Sequence, residues 1–316
     1  MESTSRSPGP AIGWDHGTAY DLFSSLYGIH NPERFGIRRS WAAGVRNRLS
    51  PERRDLLGQF VERVTVPLCW LRSLGPGVAA DAALASLASL EPARVMPTLC
   101  PPSSGCSERS PADDERIGAE LYPALSEYVE RFFVEEVPRV EPVVSEGLAR
   151  ARTLAANLDP VQLVEELSGG LALEDVGRAP SLTLIPVFWM GPLVLFDTQD
   201  DGSIVMLFSA RPRTVSLVPG DQVPESLMLG LQAIADPTRL RVMRLLAETS
   251  MTQAELARAL RLRPSTMTHH LRTLRMANVI RLRENAEGEK RYEVRSRRLQ
   301  ELYGDLEGFT GIAARP

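Results

Sequence analysis

In the segment that opens on Pro264, the residues Met267, Leu271 and Leu274 recur at i, i+4 and i+7, which commits one face of a helix to a core. Ser265, Thr266, Thr268, His269, Arg272 and Arg275 are left on the opposite face. Just upstream, Thr252-Gln253-Ala254-Glu255 has the form of a capping box and opens a short helix that buries Leu256 and Leu260. Only Arg261-Leu262-Arg263 separates the two helices, so the chain must fold here as helix, tight turn and helix. Hydroxyls, an imidazole and guanidinium groups on the outer face suit base edges and phosphates in a DNA major groove. His270 lies beside the apolar stripe and is assigned to packing.

The flanking sequence completes a small domain. Leu227, Leu231 and Ile234 place a stripe on a preceding helix. Asp236-Pro237 then supplies N-cap and first position for the next one. There Leu240, Met243 and Leu246 or Ala247 are expected inside, with Arg239, Arg241 and Arg244 outside. After Asn278, a residue that tolerates the left-handed conformation at a helix end, Val279 to Arg283 and Lys290 to Val294 alternate as two strands. Arg281, Arg283, Lys290 and Arg291 stand on or beside them, as on a DNA-contacting wing. Residues 236–298 hold 15 basic and 7 acidic groups, although the whole chain holds 36 and 40. Positive charge of that density is the footprint of a phosphate-contacting surface.

The stretches ADPTRLRVMRLLAE, TQAELARALRL, PSTMTHHLRTLRMANVIRLR and KRYEV resemble the ArsR-type winged-helix repressors over about 90 residues. The resemblance implies a homodimer on an inverted-repeat operator in double-stranded DNA, with the helix from Pro264 to Met276 in the major groove and the wing on the adjacent minor groove or backbone. It implies DNA contacts from Ser265, Thr266, Thr268, His269, Arg272, Arg275, Arg281, Arg283, Lys290 and Arg291. Arg263 departs from the pattern, since such proteins usually place a serine or asparagine cap there; the loss is worth about 1 kcal/mol. Metal-sensing members carry cysteines on the helix matching Thr252 to Leu260, or histidines and carboxylates on the terminal helix. Neither segment here holds Cys or His, so no metal site is expected.

With 316 residues, roughly two domains are expected. The fold class is read as mainly α with α+β elements. The boundaries are a disordered tail at 1–13, a helix-rich N-terminal sensory or regulatory domain at 14–210 ending in a β segment, a linker at 211–224 and the winged helix at 225–310. The N-terminal part reads as helical from Asp15 to about Leu99, over about 115–137 and 140–157, and again after Asp159-Pro160. SLTLIPVFWM, PLVLFD and SIVMLFSA follow as strands, the last two as a hairpin. WDHGTAYDLFSSLYGIHNPERFG and SLTLIPVFWMGPLVLF are similar to an uncharacterised domain that precedes some ArsR-type domains, and carry no activity over.

Three cysteines are too few for a disulfide framework and fit a reducing cytoplasm. Cys69, between Leu68 and Trp70, reads as core; Cys100 and Cys106 are a candidate redox pair in a proline- and serine-rich loop. The polar N-terminus lacks the apolar region of a secretory signal, and the longest apolar stretch, at 182–196, is too short and proline-broken to span a membrane. Asp15, His16, Asp21, His30 and Glu33 are the ligand and proton-carrier types, but their spacing matches no metal motif. Nucleotide and hydrolase signatures are missing. The chain therefore reads as a non-enzymatic, cofactor-free DNA-binding regulator with a possible small-molecule effector and no membrane partner. The alternative is an enzyme or protein-docking module localised to DNA by its winged helix.

Overall fold

Eleven consecutive residues of the first long helix, Ala19 through Ile29, are buried in the computed structural model, which describes residues 9–101, 110–191, 194–220, 223–285 and 287–311. A helix apolar on all sides must be surrounded by others rather than laid on a surface. Its two buried serines meet that environment without loss. Ser24 donates to the Tyr20 carbonyl at 2.7 Å and Ser25 to the Leu22 carbonyl at 2.8 Å, with the Tyr128 hydroxyl 2.9 Å from Ser25.

The chain divides into two compact units: Trp14–Glu146 with Ile185–Met190, and Met1–Gly13 with Gly147–Leu184 and Gly191–Pro316. The first is helical. Its elements are α1 (Thr18–His30), α2 (Pro32–Phe35), α3 (Arg39–Arg46), α4 (Pro51–Arg63), α5 (Leu68–Ser73), α6 (Ala80–Ala88), α7 (Pro92–Leu99), α8 (Pro111–Tyr128) and the start of α9 (Val134–Ala155). The helices α4, α6 and α7 lie against α8, and α3 to α6 approach α1. Trp41, Phe132, Phe188 and Trp189 form an aromatic cluster, with Trp41 stacked on Trp189 at 6.3 Å and Arg139 4.7 Å above the Phe188 ring.

The sequence suggests two helices broken between 137 and 140, whereas the chain is helical from Pro111 to Ala155 through a π turn at Val129–Phe133. Pro138 and Pro142 sit inside α9. Each removes a helix hydrogen bond, but Val140 and Val144 are buried and hold the helix by packing. Cys69 is exposed, contrary to the reading as core, because Leu68 and Trp70 on either side take the buried positions. Cys100 is buried, and Cys106 lies outside the described residues.

The second unit contains two four-stranded sheets. Its earlier elements are β1 (Ala11–Trp14) up to Gly13, α10 (Pro160–Leu167), β2 (Leu171–Leu173), β3 (Ser181–Val187) up to Leu184, β4 (Leu195–Thr198) and β5 (Ile204–Ser209). One sheet has the order β1-β3-β5-β4, and the expected hairpin is present as the antiparallel pair β4–β5, with Leu195 opposite Leu207. Ile204 through Phe208 are all buried, as continuous apolarity requires. The later elements are α11 (Glu225–Ile234), α12 (Pro237–Glu248), β6 (Met251–Thr252), α13 (Gln253–Leu260), α14 (Pro264–Met276), β7 (Ile280–Glu284), β8 (Lys290–Val294) and α15 (Ser296–Thr310).

The second sheet has the order β2-β7-β8-β6. Its outer strand β2 comes from the stretch assigned to the N-terminal domain and runs parallel to β7, with Leu171 opposite Leu282 and Leu173 opposite Glu284. Pairing covers a strand edge that would otherwise stand open. The 211–224 stretch therefore does not mark the division between the compact units. Nor does all of it hang free: Glu225, 5% exposed, accepts from the Leu217 amide at 2.9 Å and the Ser216 hydroxyl at 2.6 Å, and ion-pairs with Arg211. Among the described residues no helix is long and apolar enough to cross a membrane.

Candidate functional site

The site is built on a core of Val242, Met243, Leu246, Leu256, Met267, Leu271, Leu274, Val279 and Ile280. Asp236 caps α12 by accepting from the Arg239 amide at 2.8 Å. Thr252 and Glu255 close the capping box on α13: the Thr252 amide donates to the Glu255 carboxylate at 2.7 Å and the Glu255 amide to the Thr252 hydroxyl at 3.2 Å. The turn into α14 places Arg261 in the left-handed region at φ 55°, and the Leu262 amide reaches back to the Ala257 carbonyl. That arrangement turns the chain sharply enough for α14 to pack across α13. Arg263 supplies no side-chain cap to α14.

Two α12 positions differ from expectation. Leu240 is 51% exposed, and Val242 takes the inner position beside Met243 and Leu246. Arg239 does not point away: its guanidinium donates to the Ala233 and Gln232 carbonyls at 2.7 Å each and so caps the C-terminal end of α11.

On α14, Met267, Leu271 and Leu274 are buried at 2% exposure or less, while Ser265, Thr266, Thr268, His269 and Arg272 are exposed together. His270 is half-buried next to Asp236, and burial lowers its pKa. Arg275 is not on the open face. It turns inward and donates to the Gly170 carbonyl at 2.6 Å, where burial pushes its pKa down to about 10. The i, i+4, i+7 stripe left Arg275 outside because the strand that covers it, β2, arrives from more than a hundred residues away. The pattern also missed Gln253, whose side-chain amide donates to the Thr268 hydroxyl at 2.8 Å and to the Pro264 carbonyl at 3.2 Å. Gln253 thereby ties the start of α13 to the exposed face of α14.

The wing cations divide in the same way. Arg283 and Lys290 are exposed, with Glu293 at 3.5 Å and Glu284 at 3.6 Å. Arg281 is engaged inside the unit, donating to Glu293 at 2.7 Å and Glu165 at 2.9 Å. Burial works against its charge, but those two carboxylates more than offset it and raise its pKa. Arg291 donates to the Ser250 carbonyl at 2.7 Å and lies 3.2 Å from Glu289.

The carboxylates and histidines singled out near the N-terminus do not converge. Asp15 accepts from the Tyr20 hydroxyl and the Gly77 amide, Glu33 pairs with Arg39, and His30 meets the Leu26 carbonyl. Among the described residues no group of three His, Cys, Asp or Glu is placed to hold a metal. Asp21 and His16 instead line a cavity of about 690 Å³ in the helical unit. Its walls are the entry to α1, the Gly77–Ala79 turn and the stretch from Phe133 to Ser145, with no strand residue among them. A Cβ at Gly17 would collide with the Val78 carbonyl, so glycine permits the close approach that shapes one wall.

A helix-turn-helix whose second helix is open on its polar face, followed by a two-stranded wing, defines the winged-helix class of nucleic-acid-binding domain. Residues 236–281 match the model of the arsR family of bacterial regulatory proteins, and that segment is an ArsR-type helix-turn-helix domain, which points to a DNA-binding transcriptional regulator. The crystal structure of NolR from Sinorhizobium fredii is similar at 28% identity, over 31% of this chain and 97% of that one, with a TM-score of 0.24. No curated protein matches the chain.

Proposed function

We propose that the protein is a transcriptional repressor that binds an inverted-repeat operator in double-stranded DNA as a homodimer and takes its input through the N-terminal residues 14–210. The observation that carries this reading is the co-exposure of Ser265, Thr266, Thr268, His269 and Arg272 on a helix whose other face is sealed in a core. In this reading Thr268, His269 and Arg272 read base edges. Arg283 and Lys290 contact phosphate directly, and Arg275, Arg281 and Arg291 hold the recognition helix and wing in place or exchange their internal carboxylate and carbonyl partners for phosphate on binding.

Dimerisation is supported by Met228 on α11 and Tyr303 and Phe309 on α15, which are 42%, 65% and 45% exposed. Leu227 and Leu302, by contrast, are covered within the chain, so the interface is expected on the remaining outer surface of these two helices. The input role is supported by the cavity of the helical unit, which is partly open to solvent and of the size that takes small molecules. The test is selection of bound sequences from random duplexes by the purified full chain, followed by sedimentation with and without the selected site. An enriched inverted repeat bound by two protomers is expected. A monomer with equal affinity for selected and random DNA overturns the reading.

A further inference from the structure

We propose that the cavity of the helical unit binds an organic cation, an ammonium group carried on an apolar body. Among the described residues the cavity is lined by two carboxylates, Asp21 and Glu141, and by no arginine or lysine. The two carboxylates disfavour an anionic ligand, although His16 and the N-terminal turn of α1 also lie on the wall.

Asp21 sits in the first turn of α1 and is 5% exposed. It accepts from the Phe188 amide at 2.7 Å, and no ion pair to it is seen among the described residues. A buried carboxylate without a cation is costly, and an ammonium of the right size offsets that cost. Burial, with Glu141 adding to it, pushes the Asp21 carboxyl up to about 7 against the pull of the Phe188 and Trp189 amides.

The facing wall adds one neutral acceptor. Pro138 lines the cavity, and the residue four positions on is Pro142, which has no amide to close a helix hydrogen bond on the Pro138 carbonyl. The same wall begins at Phe133, the last residue of the π turn, a helix defect often found at ligand sites. Phe133, Val137, Val140 and Val144 supply apolar surface for the body of the ligand. A bare metal ion is a poorer occupant, since no group of three ligating side chains is assembled among the described residues.

The binding claim rests on the cavity alone; its regulatory consequence rests on the input role proposed above. Three ligands that share a phenylalkyl body and carry a cationic, neutral or anionic head group separate the two: 4-phenylbutylamine, 4-phenylbutanol and 4-phenylbutyrate. They are titrated calorimetrically into the full chain at about pH 8, where Asp21 is ionised. The amine is expected to bind at least about tenfold more tightly than the alcohol, with the carboxylate weaker still. Asp21→Asn should abolish that order, and Glu141→Gln, an exposed position that does not bear on folding, should reduce the amine's advantage severalfold. Equal binding of all three, no binding of the amine at millimolar concentration, or an advantage left undiminished by Glu141→Gln overturns the proposal. Amine binding that leaves affinity for the selected DNA unchanged upholds the site and overturns the input role instead.

Discussion

Helices α1 and α14 are both thirteen residues long, yet they are used in opposite ways. In α1 eleven consecutive residues are buried, so the helix is a pillar about which the helical unit packs. In α14 only Met267, Leu271 and Leu274 are buried, and the polar face is free for a partner. The difference teaches where each unit keeps its chemistry: α14 presents side chains outward on a rigid base, whereas α1 contributes one buried carboxylate, Asp21, to the floor of a cavity.

The comparison breaks first at the core. Phe23 on α1 is 1% exposed and packs at 6.3 Å and 6.0 Å from the Phe60 and Trp70 rings. Phe23→Ala should destabilise the helical unit by about 3 to 5 kcal/mol. Thr266→Ala on the open face of α14 should change stability by less than about 0.5 kcal/mol. Urea unfolding followed by tryptophan fluorescence reports chiefly the helical unit, since Trp41, Trp70 and Trp189 belong to it and Trp14 stands at the end of β1. A loss below about 1 kcal/mol for Phe23→Ala would show that α1 is not the pillar described.

The next largest effect is on pH dependence. Because the folded Asp21 carboxyl is raised to about 7, its contribution to stability is complete below the ordinary carboxylate value near 4 and is lost as pH rises through 7. The helical unit should therefore weaken by a few kcal/mol between about pH 4 and 7. Glu141 across the cavity reinforces the trend, the Phe188 and Trp189 amides oppose it, and His16 is the other titratable side chain on the lining. Asp21→Asn should flatten that part of the profile; an unchanged slope would mean that the carboxyl is solvated.

The same two helices explain what could be read in advance. The α14 face, the Thr252–Glu255 capping box, the Asp236 cap and the wing strands were legible because their causes are local: a stripe at helical spacing, or a side chain closing on its own backbone. The helical unit was legible only as helices. A helix buried on all sides carries no stripe, so nothing in α1 announced which residues face the cavity. Asp21 stood out as a carboxylate among Asp15, His16, His30 and Glu33, but the grouping by sequence proximity was misleading, since those side chains go to separate partners. Long-range pairing was equally invisible. The covering of Arg275 and Arg281 by Gly170 and Glu165 depends on a three-residue strand whose sequence, Leu-Ala-Leu, marks no register.

That pairing makes the third contrast, between two arginines three positions apart. Arg272→Ala should weaken binding to the selected DNA by about 1 to 3 kcal/mol and relax base preference, with little effect on stability. Arg275→Ala removes a charged donor from the buried Gly170 carbonyl and should cost about 1 to 3 kcal/mol of stability. Its effect on DNA should be a uniform loss across sequences. Hydrogen exchange would then show faster opening at Leu282, whose amide bonds the same carbonyl. If Arg275→Ala changes base preference as Arg272→Ala does, the side chain leaves Gly170 when DNA binds.

The smallest contrast lies at the two helix ends, each of which carries asparagine. Asn31 after α1 has φ −123° and needs no special residue, whereas Asn278 after α14 has φ 58°. There the Val279 amide reaches the Leu274 carbonyl at 3.1 Å, the long return bond of a Schellman end, which forms only with a left-handed residue between. Alanine at 278 must hold that conformation at a cost of roughly 1 kcal/mol, and glycine at 278 bears no such strain. At 31 alanine loses only the side-chain donation to the Tyr27 carbonyl, a partly exposed bond worth about 0.5 kcal/mol. The expected order of destabilisation is therefore Asn278→Ala above both Asn278→Gly and Asn31→Ala, read by exchange of the α14 amides for the first pair and by tryptophan fluorescence for the last. Equal exchange for Asn278→Ala and Asn278→Gly would mean that the end of α14 relaxes out of the left-handed region, and with it the entry angle of the wing.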